Sequence, residues 1–144
     1  MKVLFLDIDG VMNNDGLLNR HGIYAVGEEM LDRLKRIVDA TGCKIVLSST
    51  WRLYKDAREV VDQKLATRGL EVIDETIEIT PPKLSMFVPR SDEIEEWLGR
   101  NVVDQFAILD DCTDAGIEGH FFRTDTRIGL TDEITVQVIA HLGG

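Results

Sequence analysis

Five short runs of apolar residues predict the strands of the protein. Runs at residues 3–6, 44–47 and 105–109 are typical of strands that are buried on both faces of a sheet. Two less apolar runs, at residues 70–73 and 120–123, predict shorter strands.

Between these runs, apolar residues recur at the spacing of helices that bury one face. The predicted helices are 28–40, 54–68, one that begins after the caps Ser91 and Asp92, and 131–142. Residues 12–27, rich in asparagine and glycine, predict a loop, and residues 74–90, which contain all 3 prolines, predict an irregular segment. Because strands alternate with helices, we expect a layered α/β fold with a central parallel sheet.

Polar residues directly follow the three most apolar runs. Because side chains alternate along a strand, the carboxylates that follow the first run point the same way. Ligands of parallel α/β sheets bind where the strands end, so we expect the polar residues to share one site. These residues are Asp7 and Asp9 after the first run, Ser48, Ser49 and Thr50 after the second, and Asp110 and Asp111 after the third.

This group of side chains suits phosphate chemistry. Clustered carboxylates need a cation between them, and oxygen ligands of this kind suit Mg²⁺. Hydroxyl groups and the guanidinium of Arg90, just before a predicted helix, suit phosphate oxygens. A carboxylate can attack phosphorus when such cations screen its charge, so the site has the parts of a phosphoryl-transfer enzyme.

Length and charge narrow the possible classes of protein. A chain of 144 residues predicts a single domain over residues 1–144. The formal net charge of -10 argues against tight, sequence-independent binding of nucleic acid. It is still compatible with a locally basic binding site on an otherwise acidic protein. No apolar run suits a membrane span or a secretory signal, so we expect a cytoplasmic protein without a membrane partner. Cys43 and Cys112 are expected to be buried thiols rather than a disulfide.

The segment from Asp7 to Val11, which reads DIDGV, resembles the first motif of the haloacid dehalogenase (HAD) superfamily, most of whose members are Mg²⁺-dependent phosphatases. The resemblance implies a three-layer, Rossmann-like HAD fold with a minimal cap. It also implies that Asp7 is the nucleophile that forms a phosphoaspartate and that Asp9 is the general acid and base. Asp110 and Asp111 resemble the acidic motif that ligates Mg²⁺ together with Asp7 and the backbone carbonyl of Asp9.

The remaining motifs of the superfamily follow in order. By the same resemblance, Ser49 holds the transferring phosphoryl group, with Thr50 beside it, and Ser48 stands as the alternative to Ser49. Arg90 occupies the place where the superfamily usually has lysine, and the two side chains are not interchangeable.

Three segments are similar to a narrower branch, the phosphatase domains of nucleic-acid repair proteins such as the polynucleotide kinase-phosphatases. They are residues 49–52 (STWR), 90–94 (RSDEI) and 129–131 (GLT). The kinase motif GxxxxGK[ST] does not occur in the sequence. The resemblance therefore implies an Mg²⁺-dependent phosphomonoesterase whose substrate is a phosphorylated small molecule, a nucleotide or a nucleic-acid end, with no stable protein partner.

Two alternatives stay open at this point: a non-catalytic phosphoacceptor of the receiver type, and an inactive HAD-like domain that binds a partner. Receivers carry their acceptor aspartate after a middle strand, whereas here the second run ends in serines. Near these serines, we expect Arg52 to be solvated at a helix start, and Trp51 to lie in the core or at the rim of the site.

Overall fold

The computed structural model describes residues 1–144 and contains one five-stranded parallel sheet. The strands in chain order are β1 (Lys2–Leu6), β2 (Lys44–Leu47), β3 (Val72–Glu75), β4 (Gln105–Asp110) and β5 (Phe121–Arg123). They lie in the order β3-β2-β1-β4-β5, and each neighbouring pair is parallel. The predicted α/β fold with a central parallel sheet is confirmed, and its most apolar strand, β1, is the central one.

Helices cover both faces of this sheet. They are α1 (Asp15–His21), α2 (Glu28–Thr41), α3 (Lys55–Ala66), α4 (Arg90–Arg100) and α5 (Asp132–His141), with 3₁₀ turns at Thr50–Leu53 and Thr113–Ala115. Leu4 and Leu6 of β1 pack into the larger core with α2, α3 and α5, whereas Phe5 packs into a smaller core with α4. The result is the three-layer arrangement that the resemblance implied.

The helix α1 interrupts the segment that was predicted to be a loop. The side chain of Asn14 caps it by accepting a hydrogen bond from the Leu17 amide at 2.9 Å, and Gly22 ends it with a positive φ of 94°. These cap residues are local signals for a helix. The prediction missed this helix because none of the residues of α1 is buried, so its apolar residues do not form a clear helical pattern.

The starts of β3 and α4 are among the other boundaries that differ from the prediction. β3 begins at Val72 rather than at residue 70, and α4 begins at Arg90, directly after Pro89, rather than after Ser91 and Asp92. Proline has no amide hydrogen to donate, so a helix starts readily beside it. Arg90 therefore belongs to the first turn of α4, and the irregular segment at residues 76–89 that precedes it is short, as expected for a minimal cap.

The sheet register brings the residues that follow the strands into one row. Leu6 lies level with Leu47 on one side and with Leu109 on the other. The pairing continues one residue further, because the amide of Ser48 donates to the Leu6 carbonyl at 3.1 Å and the amide of Asp7 donates to the Leu109 carbonyl at 3.0 Å.

The row extends across β4 to the edge strand β5, where Asp110 lies level with Arg123. Phe5 and Ile108 face α4, and side chains two residues further along a strand face the same way. The members of this strand-end row therefore lie at the α4 side of the sheet, and in order across the sheet they are Ser48, Asp7, Asp110 and Arg123.

Arg52 is buried, contrary to the expectation that it is solvated. Its guanidinium joins the end of β2 to the segment after β3 and to the first turn of α4. It donates hydrogen bonds of 2.8–3.2 Å to the carbonyls of Ser48, Ser49, Thr76 and Ile77 and to the carboxylate of Glu93. The apolar pattern gave no sign of this role, because each partner is a backbone oxygen or lies far along the chain.

The two cysteines are free, as predicted, but only Cys43 is buried. Cys112 is exposed and lies two residues beyond Asp110, where β4 ends. No helix in the structure has the length and apolar composition needed to cross a membrane.

Candidate functional site

The centre of the candidate site is a pair of buried carboxylates at the ends of β1 and β4. Asp7 is 4% exposed and Asp110 is fully buried. They are neighbours in the strand-end row, so two acids from distant parts of the chain lie side by side on one face of the sheet.

Arg90 connects these two carboxylates. Its Nη1 lies 2.6 Å from Oδ2 of Asp110 and 3.2 Å from Oδ1 of Asp7. The first turn of α4 fixes the start of this side chain, and the backbone amide of Arg90 donates to Asp114 at 3.1 Å. The structure thus brings the predicted cation into direct contact with both predicted acids.

The electrostatics of this group are unbalanced. Burial raises the pKa of Asp7 well above its usual range, and the charge of Asp110 raises it further, while Arg90 opposes both effects. Burial also raises the pKa of Asp110, although Arg90 lowers it in part. Burial lowers the pKa of Arg90, but the two carboxylates outweigh it and raise that pKa above its usual value. One guanidinium is therefore too little positive charge for the acids that it faces.

Asp111 adds a third carboxylate next to the glycine of the first motif. A Cβ atom on Gly10 would lie 2.2 Å from Oδ2 of Asp111, and Gly10 has a φ of 78°, so no other residue fits there without a shift. The hydroxyl of Thr126 donates to the same Oδ2 at 2.8 Å. This close approach places Asp111 against the backbone that follows Asp7.

The donor set fits a hard divalent cation. Ligand atoms of Asp110, Asp111 and Cys112 all lie within 4.8 Å of one another. Burial and the nearby acids raise the pKa of the Cys112 thiol to about 11, and hard cations such as Mg²⁺ prefer carboxylate oxygens to a thiol. Asp7 and Asp110 contact one guanidinium and Asp111 lies close to Asp7, so the carboxylates outnumber the cation and carry negative charge that a bound Mg²⁺ would offset.

Asp9 lies at the exposed mouth of the site and is held by two hydrogen bonds. The indole Nε1 of Trp51 donates to its Oδ2 at 3.1 Å, and the amide Nδ2 of Asn13 donates to its Oδ1 at 3.0 Å. Asn13 is itself fixed, because it also donates to the Ala25 carbonyl at 3.0 Å and accepts from the Gly10 amide at 2.9 Å. These two hydrogen bonds therefore fix the orientation of the Asp9 carboxylate.

The hydroxyl groups after β2 differ in their surroundings. Ser49 caps the 3₁₀ turn by accepting a hydrogen bond from the Trp51 amide at 3.2 Å. Ser48, level with Asp7 in the strand-end row, is fully buried, and its Oγ has no hydrogen-bond partner. Thr50 is exposed at the start of the turn. Ser48 is thus the hydroxyl in line with the acids, while Ser49, the predicted one, follows it.

Sequence reasoning did not predict that Asn13 and Trp51 hold Asp9. Asn13 follows Asp9 by four residues inside the predicted loop, and this spacing was the only available signal. Trp51 was expected in the core or at the rim of the site. Its ring is buried, and its indole N–H donates a hydrogen bond to Asp9 at the mouth of the site. No local pattern reports a partner that lies 42 residues away.

A comparison with known protein families assigns the chain to a family. A family model described as the HAD domain in Swiss Army Knife RNA repair proteins matches residues 3–134. The chain belongs to this family. The match includes the whole strand-end row and Arg90, and it confirms the resemblance to HAD domains of nucleic-acid repair proteins. Searches of curated proteins and of solved structures found no match.

Within this family, the arrangement of the acids has a plain chemical meaning. HAD domains generally use Mg²⁺, and the acidic group at the end of β4 is one that a metal ion can bind. The excess of carboxylates over cations around Asp7 and Asp110 is compatible with a bound cation.

Proposed function

We propose that this HAD domain is an Mg²⁺-dependent phosphomonoesterase that removes a terminal phosphate from a nucleic-acid end or a nucleotide. The observation that carries the proposal is that Asp7 and Asp110, both buried, share Nη1 of Arg90 while a third carboxylate lies beside them. Two buried acids on one cation are costly for a purely structural role, because much of their charge is left unmatched.

In this proposal Asp7, Asp110 and Asp111 would hold Mg²⁺, together with the backbone carbonyl of Asp9. The bound ion supplies charge neutralisation, so that an anionic phosphate can approach an anionic carboxylate. Arg90 donates hydrogen bonds to the phosphoryl oxygens, and the unpartnered hydroxyl of Ser48 does the same from the other side of Asp7.

The proposed reaction has two steps. A carboxylate oxygen of Asp7 attacks phosphorus, the bond from phosphorus to the ester oxygen breaks, and Asp9 donates a proton to the departing oxygen. A water molecule then attacks the phosphoaspartate, Asp9 takes a proton from this water, and inorganic phosphate leaves as Asp7 is regenerated. Trp51 and Asn13 keep the carboxylate of Asp9 oriented for both proton transfers.

Three observations support the choice of substrate. The family is described as the HAD domain in RNA repair proteins, which favours a nucleic-acid substrate. The segment between β3 and α4 is short, so a site without a large cap is open to a bulky substrate. The formal net charge of -10 favours recognition of an end over extended contact with a strand.

The test is hydrolysis of p-nitrophenyl phosphate, nucleoside monophosphates, and oligonucleotides phosphorylated at the 3′ or 5′ end, each with Mg²⁺ and with a chelator. Asp7→Asn is expected to lower kcat by at least about a thousandfold, because it removes the nucleophile. The variant should unfold at no lower temperature than the wild type, since it removes one charge from an acidic cluster. Asp56→Asn, an exposed acid in the first turn of α3, is the control and should keep full activity.

Metal binding has its own readout in the same experiment. Mg²⁺ should raise the unfolding temperature of the wild type, by an amount that corresponds to about 2.7 kcal/mol at a hundred times its dissociation constant. Asp110→Asn should reduce this shift.

Near-normal turnover by Asp7→Asn would overturn the assignment of Asp7 as the nucleophile. A protein that binds Mg²⁺ but hydrolyses no ester would favour an inactive HAD-like binding domain, and one that is phosphorylated once and stops would favour a receiver-like phosphoacceptor.

A further inference from the structure

Arg123, the last member of the strand-end row, is a cation that the protein leaves largely uncommitted. Most arginines here contact a carboxylate, including exposed ones such as Arg100 and Arg127. Arg123 has no ion-pair partner. Its Nε donates to the backbone carbonyl of Asp111 at 3.0 Å, and neither of its Nη groups has a hydrogen-bond partner in the protein. The side chain is therefore anchored at one end and free to bind at the other.

This free end belongs to a polar pocket beside the acidic group. The pocket has a volume of about 430 Å³ and no apolar residue in its lining, which consists of Asp111, Arg123, Thr124, Asp125 and Thr126. Its floor is tied to the first motif, because the hydroxyl of Thr124 donates to the Gly10 carbonyl at 2.6 Å. The pocket therefore adjoins the candidate site through Asp111, which lines it, and through Gly10, which Thr124 contacts.

The two acids that line the pocket, Asp111 and Asp125, form no ion pair with Arg123. Arg127 contacts both carboxylate oxygens of Asp125, at 3.2 and 2.9 Å, and these hydrogen bonds lower the pKa of Asp125 to about 2. Asp111 faces Gly10 and Thr126 and belongs to the proposed metal-binding group. Arg123 is therefore the cation in this pocket whose charge is not matched by a contacting acid.

The distance between strands defines which part of a substrate this cation can reach. Arg123 is two strands away from Asp7 in the row, which corresponds to about 10 Å between their Cα atoms. Arg90 already contacts Asp7 and occupies the place next to the reacting phosphate. Arg123 therefore lies where a neighbouring group of the substrate, and not the reacting phosphate, would be held.

We propose that Arg123 and the pocket at the end of β5 bind a second phosphate of the substrate, next to the phosphate that is removed. The forked guanidinium matches phosphate oxygens, and the free Nη groups can donate to them. This inference rests on the proposed function, because it assumes that the reacting phosphate lies at Asp7. It identifies the preferred substrate as one with two phosphate groups, such as a polynucleotide end, rather than a simple monophosphate.

A matched set of substrates tests the second-phosphate pocket. A nucleoside 3′,5′-bisphosphate is compared with the corresponding 3′- and 5′-monophosphates, so that the substrates differ by one phosphate. The wild type should have a kcat/KM for the bisphosphate that exceeds the better monophosphate by about tenfold or more, as expected for charged hydrogen bonds. Arg123→Gln should bring this ratio close to one, chiefly through KM. Arg100→Gln, which removes an exposed arginine near the C-terminal end of α4 that is not part of the pocket, should preserve the ratio.

Further measurements separate the possible failures. Added salt should lower the wild-type ratio, because it screens an exposed charge. Arg123→Lys should retain part of the preference, and this variant decides the matter if Arg123→Gln does not fold. Equilibrium binding of the bisphosphate and the monophosphates to Asp7→Asn, with and without Arg123→Gln, gives a readout that needs no turnover.

The outcomes are distinct. A wild type that binds and hydrolyses the bisphosphate no better than the monophosphates, or an Arg123→Gln variant that keeps the preference, overturns the second-phosphate pocket while leaving phosphatase activity intact. If no ester is hydrolysed, the proposed function fails, and the binding ratio in the Asp7→Asn background still decides whether Arg123 recognises a second phosphate.

Discussion

Two buried or largely buried arginines contact opposite sides of the site, and the protein satisfies them to different degrees. Arg52 donates to four backbone carbonyls and to one carboxylate, Glu93, whose other oxygen accepts a hydrogen bond from the Ile79 amide at 2.9 Å. Arg90 instead faces two buried carboxylates, Asp7 and Asp110, and a third acid lies close by. The network around Arg52 is closed, whereas the one around Arg90 has unmatched charge.

This difference separates structural from functional polar groups in the molecule. A closed network gains little from any ligand, because each donor already has an acceptor. An unbalanced network is stabilised by a ligand of the opposite charge, and it is strained until that ligand binds. Arg52 therefore holds the ends of β2 and β3 and the start of α4 together, whereas in the proposed function Arg90 belongs to the group that binds metal and phosphate.

The largest expected effect on stability comes from breaking the closed network with Arg52→Met. The substitution leaves Glu93 and several carbonyls buried without their donor, so we expect the free energy of unfolding to fall by about 3–5 kcal/mol. Chemical denaturation measures this loss. Arg100→Met is the control, because it removes an exposed ion pair within α4, the helix that carries Glu93. It should leave the free energy of unfolding nearly unchanged. A small loss for Arg52→Met would mean that the network is not structural.

For Arg90→Met we expect a large loss of activity and a smaller loss of stability. We expect kcat/KM to fall by about a hundredfold to a thousandfold, because a preorganised donor to the phosphoryl group is lost. Stability should fall less than in Arg52→Met, since Asp7 or Asp110 can bind a proton when the guanidinium is absent. Their folded-state pKa values are raised, so the folded state binds more protons, and the variant should become more stable as the pH is lowered from neutral toward the ordinary range of aspartate.

Arg90→Lys is the matched control for this substitution. Lysine keeps the charge and is the usual residue at this place in the superfamily, so most of the activity should remain, although the fork of the guanidinium is lost. Equal losses in Arg90→Met and Arg90→Lys would show that geometry, and not charge, is what the site requires of Arg90.

Much of the site was accessible from the sequence because it depends on a regular feature, the ends of parallel strands. Asp7 and Asp110 follow apolar runs directly, and the rule that ligands bind at these ends places them together without any knowledge of the loops. The strand register also aligns Ser48 and Arg123 with these two acids. Side-chain alternation gives the face of the sheet on which each residue lies, but the partner of a strand cannot be deduced from the sequence of that strand.

The rest depends on contacts that have no local signature. Arg52 was expected in solvent because an arginine at a helix start is usually exposed, and only the fold reveals the carbonyls that surround it. The hydrogen bond from Trp51 to Asp9 depends on a turn geometry that apolar spacing does not report. The short helix α1 was missed for the converse reason, since its caps are local but its apolar face is weak.

The smallest expected effects come from the two adjacent serines, which repeat the contrast between the arginines. Ser49 is satisfied as the cap of a 3₁₀ turn, and Ser48 is buried with an unpartnered hydroxyl beside Asp7. Ser48→Ala should therefore lower kcat/KM about tenfold, through loss of a hydrogen bond to a charged phosphoryl group, while stability stays the same or rises. Ser49→Ala should lower stability by about 1 kcal/mol, as loss of a cap does, with little effect on activity.

Steady-state kinetics and chemical denaturation of both variants decide between the two hydroxyls. Each serine serves as the control for the other, because the substitution removes the same oxygen from neighbouring positions. The opposite result, with activity lost in Ser49→Ala and kept in Ser48→Ala, would restore the role that the sequence resemblance gave to Ser49. It would also mean that an unpartnered polar group in this site does not by itself mark a ligand contact, which would weaken the same reasoning for the free Nη groups of Arg123.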